Sequence, residues 1–256
     1  MREARNTVLA LPNCVNIGNI VASPSYYFEL PKTRLYDVVK DGFKMGHVTI
    51  VSKGLLNMPD HLHKIAAEPM PTKLVIWGHG CEQLGKPTDL TAWKQPAWLS
   101  RCALVGIRDW GVGRRWVPCA TCMHPIFDEP PVKPIWRYAS ISYHRCLLHV
   151  DITNNMPSIH NSTYDFRWFI RHIRACEILI TNSYHAAYWA TLLQRRVVII
   201  EPNDLKFGGL RFPHPFAHTN DWEAAVEQTK LYPEALEICR DANKQFYRDV
   251  LPLLTD

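Results

Sequence analysis

The chain has 256 residues, of which 47% are hydrophobic, so it can bury the core of one large domain or two small ones and is neither disordered nor fibrous. Its net charge of +5 comes from 29 basic and 24 acidic residues spread along the chain, a distribution that argues against nucleic-acid binding and suits a small anionic ligand. The first apolar run, at 8–11, is too short for a signal peptide or a membrane span, so we expect a cytoplasmic protein.

Short β-rich segments alternate with helical segments, which is typical of parallel sheets with crossover helices. The predicted strands are 7–11, 47–51, 73–77, 102–107, 115–117, 135–143, 177–181 and 197–200. The predicted helices are 31–41, 166–175, 185–193 and 222–251.

A proline-rich segment, PIFDEPPVKP at 125–134, separates the two groups of strands. Proline lacks a backbone donor, so this segment cannot continue the interior of a sheet. We therefore predict an α/β fold of two Rossmann-like lobes that face a central cleft, one formed by residues 1–130 and the other by 131–256. The alternative is one continuous sheet with the linker running over its surface.

Cys119 and Cys122 form a single CxxC pair, with His124 close by. Structural zinc is usually held by four ligands, and no second pair stands at a suitable spacing. The pattern favours a structural turn over a zinc or redox site, and we predict that no metal binds.

Polar residues directly follow four of the predicted strands. In open α/β sheets, ligands bind beyond the carboxyl ends of the strands, so these residues are candidates for one common site. They are Gly78, His79 and Gly80 after the third strand, Arg108 and Asp109 after the fourth, Ser183, Tyr184 and His185 after the seventh, and Lys206 and Arg211 after the eighth.

Each of these groups also has a purely structural interpretation. His185 falls in the first turn of a helix, where an anion is favoured, but a histidine that only packs at a helix start fits equally well. Arg108 and Asp109 suit an anion clamp or a surface ion pair. The segment 78–80 is more typical of an ordinary βα turn than of a ligand site. The loop with the last two cations suits either a lid over a charged ligand or a solvated surface.

Four segments, in this order, resemble the polysaccharide pyruvyltransferase family. That family has five features in order along the chain. They are a Gly-rich turn, a strand that ends in G-x-R-D/E, a vPDP-like segment, a Ser-aromatic-His-Gly unit and a loop with lysine. The matching segments are VIWGHG at 75–80, LVGIRDWG at 104–111, WVPCATCMHPIFD at 116–128, and ILITNSYHAAYWATLLQRRVVIIEPNDLKFGGL at 178–210.

The resemblance implies a GT-B-like fold, with the acceptor on the lobe 1–130 and the donor on the lobe 131–256. It implies transfer of a pyruvyl group from phosphoenolpyruvate, a co-substrate, to a sugar of a glycan or glycan precursor, with neither cofactor nor metal. The acceptor would be a sugar or a lipid-linked glycan, which would bring a peripheral membrane contact. The implied catalytic residue is His185, with His79 in reserve, and the implied donor-binding residues are Arg108, Ser183, Tyr184, Lys206, Arg211, Gly78 and Gly80.

Two other functions remain open at this point. A nucleotide-sugar glycosyltransferase on a similar fold would need a carboxylate for the ribose, and Glu201 could supply it. A non-catalytic relative is the other alternative, because Ser183 stands where many family members have arginine and Cys119 replaces the usual aspartate.

Overall fold

The computed structural model describes residues 5–12, 14–52, 72–81, 89–143, 156–202 and 205–255. Its first sheet contains β1 (Asn6–Ala10), β2 (Thr33–Asp37), β3 (Val48–Ser52), β4 (Lys73–His79) and β5 (Leu104–Ile107). All pairs are parallel, in the order β2-β1-β3-β4-β5.

The second sheet contains β6 (Trp136–Ser142), β7 (Ser158–His160), β8 (Cys176–Thr181), β9 (Arg196–Ile200) and β10 (Phe216–Ala217). It is also parallel throughout, in the order β10-β9-β8-β6-β7. Two separate parallel five-stranded sheets confirm the α/β class and exclude one continuous sheet.

The α-helices lie between and after the strands. They are α1 (Ile17–Ile20), α2 (Val38–Asp41), α3 (Phe166–Ala175), α4 (Tyr184–Leu192), α5 (Trp222–Val226) and α6 (Ala235–Thr255). Every residue of α4 is buried, because β8 and β9 cover one side and α3 packs on another. In the part of the chain described above, no helix has the length and apolar character needed to cross a bilayer.

Three predicted elements differ from the structure. The predicted helix 31–41 is wrong over Thr33–Asp37, because this segment pairs with β1, and tertiary pairing overrides a local helical pattern. The predicted strand 115–117 is a single bridge between Ile107 and Trp116. The predicted helix 222–251 is divided into α5 and α6, and Pro233 lies just before the second of them.

The last helix packs against the first sheet, although it follows the second sheet in the chain. Phe246 and Val250 are fully buried in the core of that sheet. The indole Nε1 of Trp77 on β4 donates to Asn243 Oδ1 at 2.9 Å, and both groups are buried. The two halves of the chain are therefore joined by α6 as well as by the proline-rich segment.

The CxxC segment lies in the core beneath α4. Tyr188 donates its hydroxyl to the carbonyl of Cys119 at 3.0 Å, and Trp189 donates to Thr121 Oγ1 at 2.9 Å. Burial raises the pKa of the Cys122 thiol well above its usual value. These contacts show a structural role for the segment. The described residues include no cluster of three or more metal-ligating side chains.

Candidate functional site

Arg108 is held at the carboxyl end of β5, where its backbone N–H donates to the carbonyl of His79 at 2.8 Å. The residue is only 1% exposed, and its guanidinium carbon lies 4.1 Å from the centre of the Tyr184 ring. Such a cation–π contact is strongest where both groups are desolvated. The arginine thus extends from the first sheet to the first turn of α4.

Gly80 provides the space that Arg108 occupies. A Cβ atom at residue 80 would lie 2.3–2.4 Å from the guanidinium atoms, so any larger residue would displace the side chain. The Nε atom of Arg108 lies 3.7 Å from Asp109 Oδ1, and both side chains are fully buried. The surface ion pair is therefore the wrong interpretation of these two residues.

His185 lies in the first turn of α4, directly beyond β8. Its residue is 3% exposed, and its ring stacks on Trp189 with 5.1 Å between the ring centres. The imidazole also lies against α1 in the first half of the chain, because a Cβ atom on Gly18 would fall 1.8 Å from its Nδ1. The imidazole is therefore held between elements of both halves.

The turn before α4 places further polar groups near this helix end. Ser183 is at the N-cap position but makes no side-chain cap bond, and its N–H donates to Thr181 Oγ1 at 3.0 Å. Asn182 accepts the Tyr143 N–H on its Oδ1 at 2.7 Å. The Nδ2 group of Asn182 is buried, with no acceptor among the described residues. A ligand oxygen would satisfy this donor.

Lys206 lies near the same edge of the second sheet. It lies in the 3-10 helix Leu205–Phe207, and its Nζ is 5.5 Å from the ring centres of both Tyr143 and Phe207. Phe207 is fixed in turn near Tyr184, with 6.5 Å between their ring centres. The lysine thus adds a positive charge near the carboxyl ends of β6 and β8.

Arg211 fastens the loop after β9 to the first half of the chain. Its guanidinium carbon lies 4.3 Å from the Trp110 ring centre and 4.5 Å from that of Trp116. The N–H of Trp110 donates to the carbonyl of Gly209 at 2.8 Å. The loop is thus packed against the other half, so the interpretation as a solvated surface loop is wrong.

A narrow cavity lies between the two arginines. It holds about 10 Å³, which is roughly the room for one water molecule. The residues that line it include Arg108, Trp116, Tyr184, Tyr188, Leu210 and Arg211. Two guanidinium groups beside aromatic walls make this cavity cationic, and its size admits nothing larger than water.

Two further candidates, Gly78 and His79, lie at the end of β4. Gly78 has a φ of +65°, at the register shift between β4 and β5, and a Cβ there would lie 3.2 Å from the carbonyl oxygen of Pro118. This conformation explains the glycine without a ligand. His79 is 6% exposed, and its carbonyl anchors Arg108.

The structure brings most of the other predicted residues together. Arg108, Tyr184 and His185 form a continuous contact, Ser183 directly precedes them, and Gly80 makes room for the arginine. Sequence reasoning did not select Gly18 or Asn182 as site residues. Gly18 lies in the segment VNIGN, and that Asn–x–Gly pattern was the available signal.

Comparison with models of known protein families gives no match for this chain, and no curated protein matches it. We therefore infer its function from the chemistry of the site.

Proposed function

We propose that the protein is a transferase that moves a pyruvyl group from phosphoenolpyruvate to two hydroxyls of a sugar, with release of phosphate. The observation that carries this proposal is the buried stack of Arg108 on Tyr184, in the same helical turn as His185. A desolvated cation at the positive end of a helix selects a compact anion. A histidine beside it can move protons near neutral pH.

Phosphoenolpyruvate carries a phosphate and a carboxylate, and the site offers several donors for them. The Arg108 guanidinium can hold either group with two parallel hydrogen bonds. Asn182 Nδ2 and the first N–H groups of α4 would accommodate further oxygens, and Lys206 would add charge. The oxygens of the donor would also satisfy the buried amide of Asn182.

The reaction requires one proton to enter the donor and two to leave the acceptor. Protonation of the methylene carbon makes the adjacent carbon electrophilic, and one sugar hydroxyl adds there as it loses its proton. The second hydroxyl then displaces phosphate from the same carbon and closes the cyclic ketal, and its proton leaves with the phosphate. In this scheme His185 supplies the first proton and accepts one from the attacking hydroxyl, as a general acid and base. The anionic phosphate leaves with its negative charge balanced by Arg108.

A nucleotide-sugar glycosyltransferase fits the site less well, because the carboxylate proposed for the ribose is already engaged. Glu201 accepts hydrogen bonds from the Thr219 N–H at 2.9 Å and the Thr219 hydroxyl at 3.2 Å. It also pairs with His218 at 3.2 Å. The hydrogen bond from the backbone N–H of Thr219 lowers the pKa of Glu201. This carboxylate stabilises a turn.

Ligand binding and turnover test the proposal separately. We expect phosphoenolpyruvate to raise the unfolding temperature, UDP-sugars to leave it unchanged, and phosphate to be released in the presence of a sugar or lipid-linked glycan acceptor. Stabilisation by UDP-sugars alone would favour the glycosyltransferase. Binding of phosphoenolpyruvate without phosphate release from any acceptor would favour the non-catalytic relative. No stabilisation by phosphoenolpyruvate at saturating concentration would contradict the proposal.

A further inference from the structure

A cationic and apolar surface lies at the amino ends of the strands in the second sheet, on the edge opposite the candidate site. We call it the amino-edge face, and its residues are Val132, Lys133, Ile135 and Arg171. Ile135 is 75% exposed, and Val132 is 46% exposed. All four residues line a groove of about 320 Å³.

The backbone of the loop that carries Val132 and Ile135 is fixed by hydrogen bonds. The Ile135 N–H donates to the carbonyl of Ala175, the last residue of α3, at 2.9 Å. Arg195 Nη2 donates to the Val132 carbonyl at 2.8 Å, and Arg174 donates to the carbonyls of Glu129 and Pro130. The exposed aliphatic side chains therefore project from a fixed backbone.

The charge of the face selects an anionic occupant. Lys133 and Arg171 are exposed and have no carboxylate partner within the described ranges. Glu129 is the acidic residue of the groove, and it is already bound by Arg167 and Arg174. A second copy of this chain would place the same cations against each other, which disfavours self-association through this face.

The mixture of residues also distinguishes a membrane from a protein partner. The cores of protein interfaces are depleted in charged residues, whereas here cations stand among the aliphatic side chains. A membrane interface accepts this mixture, because aliphatic groups enter the acyl boundary while lysine and arginine stay at the phosphates.

We propose that the amino-edge face binds the surface of anionic membranes. Ile135 and Val132 enter the boundary between headgroups and acyl chains, and Lys133 and Arg171 pair with lipid phosphates. The catalytic proposal does not depend on this contact, because the two sites lie at opposite ends of the strands of the second sheet.

Sedimentation with lipid vesicles tests the proposal on the full chain. We expect stronger binding to mixed phosphatidylserine–phosphatidylcholine vesicles than to pure phosphatidylcholine, and weaker binding at high salt. Lys133→Gln and Arg171→Gln should each lower the partition coefficient about fivefold. Ile135→Ser should lower it about tenfold, since it removes an inserted aliphatic group.

The matched control is Val39→Ser with Lys40→Gln, which changes an exposed aliphatic residue and an exposed cation on the first half of the chain. This double variant should bind vesicles as the unchanged chain does. Equal binding to both kinds of vesicle would overturn the proposal, as would equal losses in the control and the face variants. All variants change exposed side chains, and unchanged unfolding temperatures would show that they remain folded.

Discussion

The imidazole of His185 lies directly against the backbone of Gly18, so that a Cβ atom at residue 18 would fall 1.8 Å from Nδ1. The glycine belongs to α1, whose N-cap Asn16 accepts the Gly18 N–H on its side chain at 3.0 Å. The position of the proposed catalytic group thus depends on a short helix from the other half of the chain.

Gly18→Ala should displace His185 and reduce turnover without removing any functional group. We expect phosphate release to slow by about 10²-fold or more, which is the loss typical of a missing general acid–base group. Asn19→Ala, on the same helix, is the control and should stay close to full activity. Full activity of the Gly18 variant, with an unchanged unfolding temperature, would show that the ring position does not govern turnover.

His185→Ala tests the acid–base assignment directly. The variant should bind phosphoenolpyruvate and release phosphate about 10²–10⁴-fold more slowly, since proton transfer is lost while the cationic groups remain. His79→Ala is the comparison, because its ring also lies at the carboxyl end of a strand. If the His79 variant is inactive and the His185 variant is not, the catalytic role belongs to His79. Activity in both would remove histidine from the mechanism.

Arg108→Lys should weaken donor binding by about 1–3 kcal/mol, because lysine keeps the charge but loses the planar fork and the stack on Tyr184. Titration calorimetry with phosphoenolpyruvate measures this change. Arg115→Lys is the matched control, since Arg115 pairs with Asp249 on the surface. Gly80→Ala should reproduce part of the effect by pushing the guanidinium aside. Donor affinity that is unchanged in the Arg108 variant would place the anion elsewhere.

His214 should make stability depend on pH between about 4 and 6.5. The Thr191 hydroxyl donates to the Ala187 carbonyl, so His214 Nε2 must donate to Thr191 Oγ1, at 2.7 Å. The other ring nitrogen is buried without a partner in the described parts of the chain, and burial lowers the pKa of His214 to about 4. The unfolded chain, with a histidine pKa of about 6.5, therefore binds this proton first as the pH falls.

The free energy of unfolding should accordingly decrease by up to about 3 kcal/mol as the pH falls from 6.5 to 4. Urea unfolding at several pH values measures this slope. His214→Gln should make it less steep, and part of the slope should remain because burial also lowers the pKa of His124 and of His172. His47→Gln, which changes an exposed histidine, is the control variant. An unchanged slope in the His214 variant would assign the pH dependence to other groups.

Local sequence patterns were sufficient for the elements that form the second half of the site. The unit β8–α4–β9 was predicted to within one residue at each end, because two short strands rich in isoleucine and valine flank an alanine-rich segment, and both signals are local. The positions of Arg108 and His79 at the carboxyl ends of strands were also predicted, because the apolar strands before them are local patterns in the sequence. Residues 33–37 were misjudged, because pairing with β1 decides their conformation and that strand lies far away in the sequence.

The sequence by itself therefore determined the α/β alternation, two groups of parallel strands and the polar residues that follow them. Only the tertiary structure decided that His185 rests on Gly18, that Arg108 is buried on Tyr184, and that α6 packs on the first sheet. Hydrophobic periodicity reports which face of an element is buried, but not which distant element covers it. The element that covers each face decides which residues are buried and which contacts form between the halves. It therefore also decides the environment and the accessibility of the site.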